Sequence, residues 1–314
     1  MTDFGETTTA DEVLEGIDLS GTRAVVTGAS TGLGEETTRA LAAHGAAVTM
    51  AVRDQARGDA AAERIRAAVP DADLEVRILE LASLASVRDF AAGFLAEHDR
   101  IDLLINNAGI MACPQGTTED GFDLQFGTNH LGHFLLSMLL APALVAAAPS
   151  RLVSLSSAGH RFSPVDLDDP NFERTEYDAW GAYGRAKSAN ALFAVGFDHR
   201  FAAQGVRAFS VHPGGIITEL GRHLTDETLG VMVKAMEGAT KPREFKTVPQ
   251  GAATTVWAAT SPDLDGKGGL YLEDCAVAEI TDDPNNREGV RLWAVDPHIA
   301  DDLWDLSEKM VGLR

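Results

Sequence analysis

The sequence predicts a single-domain α/β fold in which about seven parallel strands form a doubly wound sheet with helices on both faces. The first observation is that short apolar runs, which suit buried parallel strands, alternate with longer segments of helical periodicity. The second is that the first strand leads through a glycine-rich turn directly into a helix. The predicted strands are 23–27, 46–52, 74–79, 101–105, 151–155, 206–211 and 269–272.

Helices between these strands are predicted from apolar positions at helical spacing and from capping residues, such as Thr9 before residues 11–15. Residues 1–20 are acidic and are interpreted as a surface extension of the domain that covers 21–314. Residues 216–247 mix charged and apolar side chains and are predicted to form a mobile helical lid over a ligand. The predicted helices are 11–15, 35–43, 54–69, 83–98, 120–148, 183–203 and 249–260.

Composition and charge limit the classes of function that this chain can have. Its 314 residues are 45% hydrophobic and 23% charged, which is typical of a soluble globular protein with a sizeable core. The formal net charge of −21 argues against general binding to nucleic acids and to anionic membranes. Cys113 and Cys275 provide neither a disulfide framework nor a metal-ligand cluster, so no metal site is predicted.

No membrane span is predicted. The N-terminus lacks the basic, apolar and small-residue pattern of a signal peptide. The most apolar run, 134–148, contains Ser137 and Pro142 and is shorter than the roughly 18 residues that a span needs. We therefore expect a cytoplasmic protein in which this run is a buried or subunit-contacting helix.

The glycine-rich turn after the first strand has the spacing of a dinucleotide-binding loop in a Rossmann-type sheet. Backbone amides of such a loop and the helix that follows it face a pyrophosphate. Gly28 is expected to form the tight turn, Gly32 to permit close approach of the phosphates, and Gly34 to permit helix packing. The alternative is a plain turn between a strand and a helix. The predicted contacts in this loop are Gly28, Ser30, Thr31, Gly32, Leu33 and Gly34.

Arg53 at the end of the second strand favours NADP(H), with NAD(H) possible. NAD-binding sheets place an acidic residue about 20 positions beyond the loop, whereas an arginine accepts the 2′-phosphate of NADP. Val52 occupies the acidic position here, and Arg53 follows it. A plain surface arginine is the alternative. Glu80 and Asn107 also follow predicted strands, so they are expected to share one crevice with the glycine loop.

Tyr183 and Lys187 form a candidate acid/base pair. Residues four apart on a helix lie on one face, and an ammonium beside a phenol lowers the pKa of that phenol towards neutrality. The spacing alone is common on solvated helices, and Tyr177 lacks such a lysine because Gly181 stands four residues later.

These motifs together resemble the short-chain dehydrogenase/reductase family. They are Thr-Gly-x-x-x-Gly-x-Gly at 27–34, Asn-Asn-Ala-Gly at 106–109, Tyr-x-x-x-Lys at 183–187 and Pro-Gly at 213–214. Finer features are similar to the branch that holds retinol dehydrogenases and the WW-domain oxidoreductase. The resemblance implies a catalytic tetrad of Asn129, Ser157, Tyr183 and Lys187. It also implies cofactor contacts at Tyr183, Lys187, Glu80, Leu81, Asn107, Ala108, Gly109, Pro213, Gly214, Ile216 and Thr218.

The activity implied by the resemblance is NADP(H)-dependent hydride transfer to or from a neutral, fairly apolar carbonyl compound or alcohol. Tyr183 would exchange the proton, Lys187 would lower its pKa, Ser157 would bind the substrate oxygen, and Asn129 would position a water. An NAD-preferring alcohol dehydrogenase and a non-catalytic dinucleotide sensor or scaffold are the alternatives. The family also implies assembly into a homodimer or homotetramer.

Other side chains allow weaker predictions. An apolar pocket for the substrate is predicted from Met111, Phe162, Trp180, Leu220 and Met232, although each of these side chains suits the core equally well. Four histidines are interpreted as packing or surface residues, because none has zinc-ligand spacing or a carboxylate partner in the sequence. They are His130, His133, His160 and His212.

Overall fold

An eight-stranded sheet runs through the centre of the protein, in a computed structural model that describes residues 4–225, 228, 230, 245–283, 286 and 288–314. The strand order is β3-β2-β1-β4-β5-β6-β7-β8, and every pair is parallel except β7–β8. The strands are β1 (Arg23–Thr27), β2 (Ala47–Val52), β3 (Leu74–Ile78), β4 (Leu103–Asn106), β5 (Ser150–Leu155), β6 (Val206–His212), β7 (Leu270–Glu273) and β8 (Ala276–Val277).

Helices cover both faces of this sheet. They are α1 (Ala10–Leu14), α2 (Gly32–Ala43), α3 (Gln55–Ala68), α4 (Leu84–Glu97), α5 (Leu124–Phe126), α6 (Gly132–Ala146), α7 (Ala179–Phe201), α8 (Val248–Thr260) and α9 (Pro297–Met310). Helices α1, α2, α3 and α8 share one buried apolar cluster, and α4, α6, α7 and α9 share another on the opposite face. The predicted doubly wound α/β fold is therefore confirmed. The strand order reverses between β1 and β4, which opens a crevice at their carboxyl ends.

The eighth strand is an addition to the seven that the sequence predicts. β8 is only two residues long and pairs with β7 through a tight turn at Asp274 and Cys275. Both turn residues have positive φ angles, 50° and 56°, as a two-residue hairpin of this twist requires. Neither residue is a glycine, so the turn carried no clear signal in the sequence.

The N-terminal segment is packed against the domain, which corrects its interpretation as a surface extension. Helix α1 begins after Thr9, whose hydroxyl accepts a hydrogen bond from the Glu12 amide, as the capping prediction requires. Ala10, Val13 and Leu14 of this helix are buried in the same apolar cluster as α8. Because these apolar residues lie on one face of a short helix, they join the core even though the surrounding sequence is acidic.

The helix predicted over 120–148 begins later and is irregular. It starts at Leu124 and passes through a π-helical turn, Gly127–Leu131, before α6. Asn129 lies in this turn and not in regular α-helix, which explains how a poor helix former occupies the position. By length and composition Leu124–Ala146 is apolar enough to cross a membrane, but 72% of its apolar window is buried inside the protein.

Candidate active site

The glycine-rich turn forms a tight cradle at the N-terminus of α2. Gly28 has a φ of +68°, and a Cβ atom there would lie 2.9 Å from the Ala108 Cα atom. A Cβ atom on Gly34 would lie 2.3 Å from the Gly28 carbonyl oxygen. Within the described part of the chain, the Thr31 side chain makes no capping bond to the first turn of α2, so that turn can bind an anion. The cradle therefore fits the pyrophosphate of a dinucleotide.

The loop that follows β4 packs directly against this cradle. The Asn107 side chain donates a hydrogen bond to the Thr27 carbonyl oxygen at 2.7 Å. The backbone amides of Asn107 and Ala108 both donate to the Thr27 hydroxyl at 2.9 Å. A Cβ atom on Gly109 would lie 3.6 Å from the Lys187 ammonium nitrogen. This loop thus forms a wall between the predicted pyrophosphate site and the predicted catalytic residues.

Arginines gather at the carboxyl end of β2. The Arg53 side chain is 66% exposed and lies 3.9 Å from the Glu80 carboxylate. Arg57, one turn further along, is paired with Glu219. Burial lowers the pKa of Arg222, and the charges of Arg53 and Arg57 act in the same direction, whereas that of Glu219 opposes them, so these charged groups lie near one another. Only Arg53 was predicted from the sequence, because Arg222 is 169 positions away from it along the chain.

Tyr183 and Lys187 lie on one face of α7, as the sequence predicts, but both side chains are more buried and less hydrated than expected. The Lys187 ammonium lies 5.7 Å from the centre of the Tyr183 ring and donates to the Leu155 carbonyl oxygen at 2.9 Å. Burial raises the pKa of Tyr183 to about 12, opposed only by the hydrogen bond from Ser157. Burial also lowers the pKa of Lys187 to about 8. The expectation that Lys187 lowers the pKa of Tyr183 is wrong for the protein alone, because loss of hydration dominates.

Ser157 lies beside Tyr183 at the end of β5. Its hydroxyl accepts a hydrogen bond from the Gly159 amide at 3.0 Å and also bonds the Tyr183 phenol. The neighbouring Ser156 points away and donates to the Lys187 carbonyl oxygen at 2.7 Å. His160 is fully buried behind this turn, with its Nδ1 atom 2.7 Å from the Ser157 carbonyl oxygen. Of the two serines, Ser157 is thus the one that faces Tyr183.

Asn129 holds the other side of the site. Its amide group forms two hydrogen bonds of 2.9 Å with the backbone of Ile110, one from each heteroatom. These bonds attach the π-helical turn to the chain that follows the 107–109 loop. The amide side chain therefore joins two segments, and the predicted water would have to bind its second N–H, its second oxygen lone pair or the Asn129 backbone.

The remaining predicted cofactor contacts border the same crevice. A Cβ atom on Gly32 would lie 3.4 Å from the Thr218 methyl group, so Thr218 covers the glycine cradle. Ile216 pairs with Lys246, and the Lys246 side chain lies over Gly214, which follows Pro213. The Leu81 carbonyl oxygen packs on Gly132, at the base of the crevice.

An apolar surface adjoins Tyr183. Ala112, Trp180 and Tyr183 form a buried cluster with Met111, Ala179 and Leu224 packed against it, and Phe162 contacts Trp180 at 5.2 Å between ring centres. This brings together three of the five predicted pocket residues. Leu220 is half-buried in a separate 3₁₀ turn, and Met232 lies outside the described residues, as do Leu229, Val231 and Met236 of the predicted lid.

Gln125 supports this apolar surface, a role that its sequence context did not predict. Its side chain accepts from the Ala112 amide and donates to the Tyr177 hydroxyl and the Ala179 carbonyl oxygen, all at 2.9 Å. All its polar atoms are thereby used in joining three segments that are remote in sequence. A buried glutamine with no motif around it carries no signal of this role before the fold is known.

A possible metal-binding group lies away from the crevice. Glu75, Glu97 and His98 cluster near the amino end of the sheet. Arg77 pairs with both carboxylates, so its guanidinium already supplies the positive charge that these groups attract.

Known proteins are similar to this chain over most of its length. The short chain dehydrogenase family profile matches residues 22–229. The short-chain dehydrogenase/reductase prx1 of Penicillium rubens is 43% identical over 296 residues, which cover 92% of this chain and 84% of that protein. Retinol dehydrogenase 14 of Homo sapiens is 40% identical over 308 residues, which cover 94% and 88% of the two chains.

Solved structures show the same relationship. An uncharacterized protein from Mycobacterium paratuberculosis aligns with a TM-score of 0.73 and 34% identity over 98% of both chains. The Pseudomonas aeruginosa RhlG/NADP active-site complex aligns with a TM-score of 0.64 over 82% of this chain and 95% of that one. Its identity is 22%, so this second likeness is one of fold alone.

Proposed function

The chain belongs to the short-chain dehydrogenase/reductase family and is an oxidoreductase, and we propose that it transfers a hydride between NADP(H) and a neutral, apolar carbonyl compound or alcohol. The observation that carries this proposal is the buried Tyr183 phenol, which is hydrogen-bonded to Ser157 and faces an apolar surface. A proton donor and a second hydroxyl at one point suit a substrate oxygen.

The protonated form of Tyr183 is the form that reduction of a carbonyl group requires. With a pKa of about 12, the phenol keeps its proton at neutral pH and is ready to donate it to the substrate oxygen. Ser157 would hydrogen-bond the same oxygen as negative charge develops on it. Lys187, with a pKa of about 8, is mostly charged at pH 7 and stabilises that charge from the same helix face. NADP(H), when bound, supplies or accepts the hydride.

The arginines near β2 support a preference for NADP(H). The 2′-phosphate that distinguishes NADP from NAD is a dianion, which guanidinium groups bind strongly. Arg53 is exposed at the expected strand end, and Arg57 and Arg222 face the same region. The net charge of −21 makes such a local cluster necessary for anion binding.

The apolar surface beside Tyr183 supports a substrate with little polarity. Trp180, Phe162 and Ala112 would contact the groups attached to the carbonyl carbon. The relative named retinol dehydrogenase 14 takes its name from an apolar alcohol, which agrees with this class of substrate. Cytoplasmic location and assembly into a homodimer or homotetramer stay predictions.

A substrate panel with a Tyr183→Phe control tests the proposed chemistry. Purified protein is mixed with NADPH and a series of aldehydes, ketones and quinones, and oxidation of NADPH is followed by absorbance. The phenylalanine variant should bind NADPH as the wild type does but lose turnover by roughly 10²–10⁴-fold, the usual contribution of a general acid. Normal turnover in this variant would show that Tyr183 is not the proton donor. A protein that binds NADPH and turns over nothing would be a sensor or scaffold.

Replacement of Arg53 by alanine tests the cofactor preference separately. Loss of a charge-assisted bond to the 2′-phosphate should reduce the ratio of NADPH to NADH affinity by roughly tenfold. Arg100→Ala is the matched control, because Arg100 is also exposed and lies close to a carboxylate, that of Asp102, but is at the other end of the sheet. If the ratio does not change in Arg53→Ala, NADP(H) specificity does not depend on this arginine.

A further inference from the structure

His133 connects the catalytic asparagine to the glycine cradle. This histidine is 1% exposed and lies in the first turn of α6. Its Nδ1 atom is 2.9 Å from the Asn129 carbonyl oxygen, and its Nε2 atom is 2.8 Å from the Thr27 hydroxyl oxygen. Thr27 ends β1 and lies 106 positions away from His133 along the chain.

The partners of His133 determine which ring nitrogen carries the proton. A carbonyl oxygen only accepts hydrogen bonds, so Nδ1 must be the protonated nitrogen that donates to Asn129. Burial, with a smaller contribution from the charge of Lys187, lowers the pKa of His133 to about 4 in spite of the opposing hydrogen bond to Asn129, so Nε2 is unprotonated at neutral pH. Nε2 therefore accepts the hydroxyl proton of Thr27, whose oxygen remains free to accept from the amides of Asn107 and Ala108.

These contacts close a ring of hydrogen bonds that includes Asn129 of the predicted catalytic tetrad. From Thr27 the ring runs through His133 to the Asn129 carbonyl group, and then from the Asn129 side chain to Ile110. The short backbone segment from Ile110 back to Ala108 returns it to the Thr27 hydroxyl at 2.9 Å. Every member of the ring has the donors and acceptors that its neighbours need, so the ring fixes the 107–110 loop between the cradle and Lys187.

We infer that His133 is a positioning residue for the proposed reaction, one that holds the Asn129 backbone through Nδ1 and the cofactor-side loop through Nε2. The two nitrogens have different tasks. The Nδ1 contact acts on the π-helical turn that carries Asn129, whereas the Nε2 contact acts through Thr27 on Asn107 and Ala108. This inference rests on the proposed function for its kinetic consequences but not for the ring itself.

His130 provides a matched comparison in the preceding π-helical turn. It is as deeply buried as His133, and burial lowers its pKa to about 3. Its Nε2 atom lies 2.8 Å from the Ser307 hydroxyl on α9, and its ring packs among Phe126, Phe134 and Phe193. His130 is thus as buried as His133 and lies one turn before it, but these contacts join it to the core and to α9 and not to the predicted catalytic residues.

Replacements that keep one nitrogen at a time separate the two tasks. An asparagine amide nitrogen replaces Nδ1, so His133→Asn keeps the bond to Asn129 and loses the bond to Thr27. A glutamine reaches the position of Nε2, so His133→Gln keeps the Thr27 contact and loses the donor to Asn129. We expect His133→Asn mainly to raise the KM for NADPH, and His133→Gln mainly to lower kcat, each by about tenfold, the loss expected for one buried hydrogen bond.

A double-mutant cycle with Thr27→Val sharpens this test. Thr27→Val and His133→Asn break the same hydrogen bond, so the double variant should have a KM no higher than that of the worse single variant. Thr27→Ser, which keeps the hydroxyl, should restore the wild-type value. Additive effects of Thr27→Val and His133→Asn would overturn the inference. The inference would also be overturned if both His133 variants changed kcat and KM to the same extent and if His130→Asn and His130→Gln produced the same changes.

Hydrogen exchange of the backbone amides provides a readout that needs no activity. In the free protein, the amides of Asn107 and Ala108 should exchange at least tenfold faster in His133→Asn, and the amide of Ile110 at least tenfold faster in His133→Gln. All three amides should remain protected in both His130 variants. Unchanged protection in folded His133 variants would refute the ring. If the wild type turns over no substrate, the proposed function fails, and the exchange data decide the inference on their own.

Discussion

Adding one methyl group at Gly159 should displace Tyr183, the proposed proton donor, without replacing any functional side chain. Gly159 lies in the 3₁₀ turn after β5, Ala158–Phe162, whose right-handed backbone alanine adopts without strain. A Cβ atom at this position would lie 2.6 and 2.7 Å from two carbons of the Tyr183 ring and 3.4 Å from the Ser157 hydroxyl. Gly159→Ala therefore pushes directly on the proposed proton donor.

The size of the effect follows from these distances. Ordinary van der Waals contact begins at 3.4 Å, so the ring and the turn must separate by about 0.8 Å. Misplacement of a reacting group by about 1 Å can reduce turnover about 10²-fold. Forcing a methyl group into a filled interior also costs about 1–3 kcal/mol of folding free energy. We therefore expect Gly159→Ala to fold, with a lower melting temperature, and to lose about 10²-fold in kcat.

The assay compares kcat, NADPH affinity and melting temperature in two alanine variants. Gly93→Ala is the control, because its methyl group inside α4 would lie 3.7 Å from the nearest side-chain atom, an ordinary contact. This control should keep wild-type kcat and be slightly more stable, since alanine favours helix over glycine by roughly 0.5–1 kcal/mol. If Gly159→Ala is folded and keeps kcat within about threefold of wild type, the position of Tyr183 does not limit the reaction as argued.

Two further predictions concern stability. Leu14→Ala should lower the free energy of unfolding in urea by about 2–5 kcal/mol, because Leu14 is fully buried. Leu95→Ala should change this free energy little, because Leu95 is 38% exposed. Equal effects of the two changes would show that α1 does not contribute to the core. Lys187→Met tests the cost of the buried ammonium, whose pKa falls from 10.5 to about 8 on folding. Since the unfolded chain holds more protons between these pH values, wild type should gain stability relative to Lys187→Met as pH rises from 8 to 10.5. A constant difference in melting temperature across that range would mean that the ammonium remains hydrated in the folded state.

The parts of the fold that were predictable are those with a local signal. Buried parallel strands are short apolar runs, and each long helix shows its period along one stretch of chain. The seven parallel strands were therefore predicted close to their observed ends. β8 was missed, because a two-residue strand held by a turn of Asp274 and Cys275 has neither length nor a glycine to mark it.

The predicted site shows the same division. Tyr183, Lys187 and Ser157 were predicted from motif and order, and the structure brings them together. The pKa of Tyr183 was predicted in the wrong direction, because that value depends on how much water the rest of the fold excludes. His133 was interpreted only as a packing or surface residue, since no pattern links it to Thr27.

The sequence by itself determined the family, the order of the motifs along the chain and the residue types that meet at the carboxyl ends of the strands. These features could be predicted because each proposed task needs particular residue types: glycines in a dinucleotide-binding turn, an arginine for the predicted 2′-phosphate and a tyrosine near a lysine for proton transfer. Only the tertiary structure decided which buried groups are neutral, which arginines share a region and which hydrogen bonds close around Asn129. Hydration and hydrogen-bond partners are set by atoms far apart along the chain, and those atoms meet only when the protein has folded.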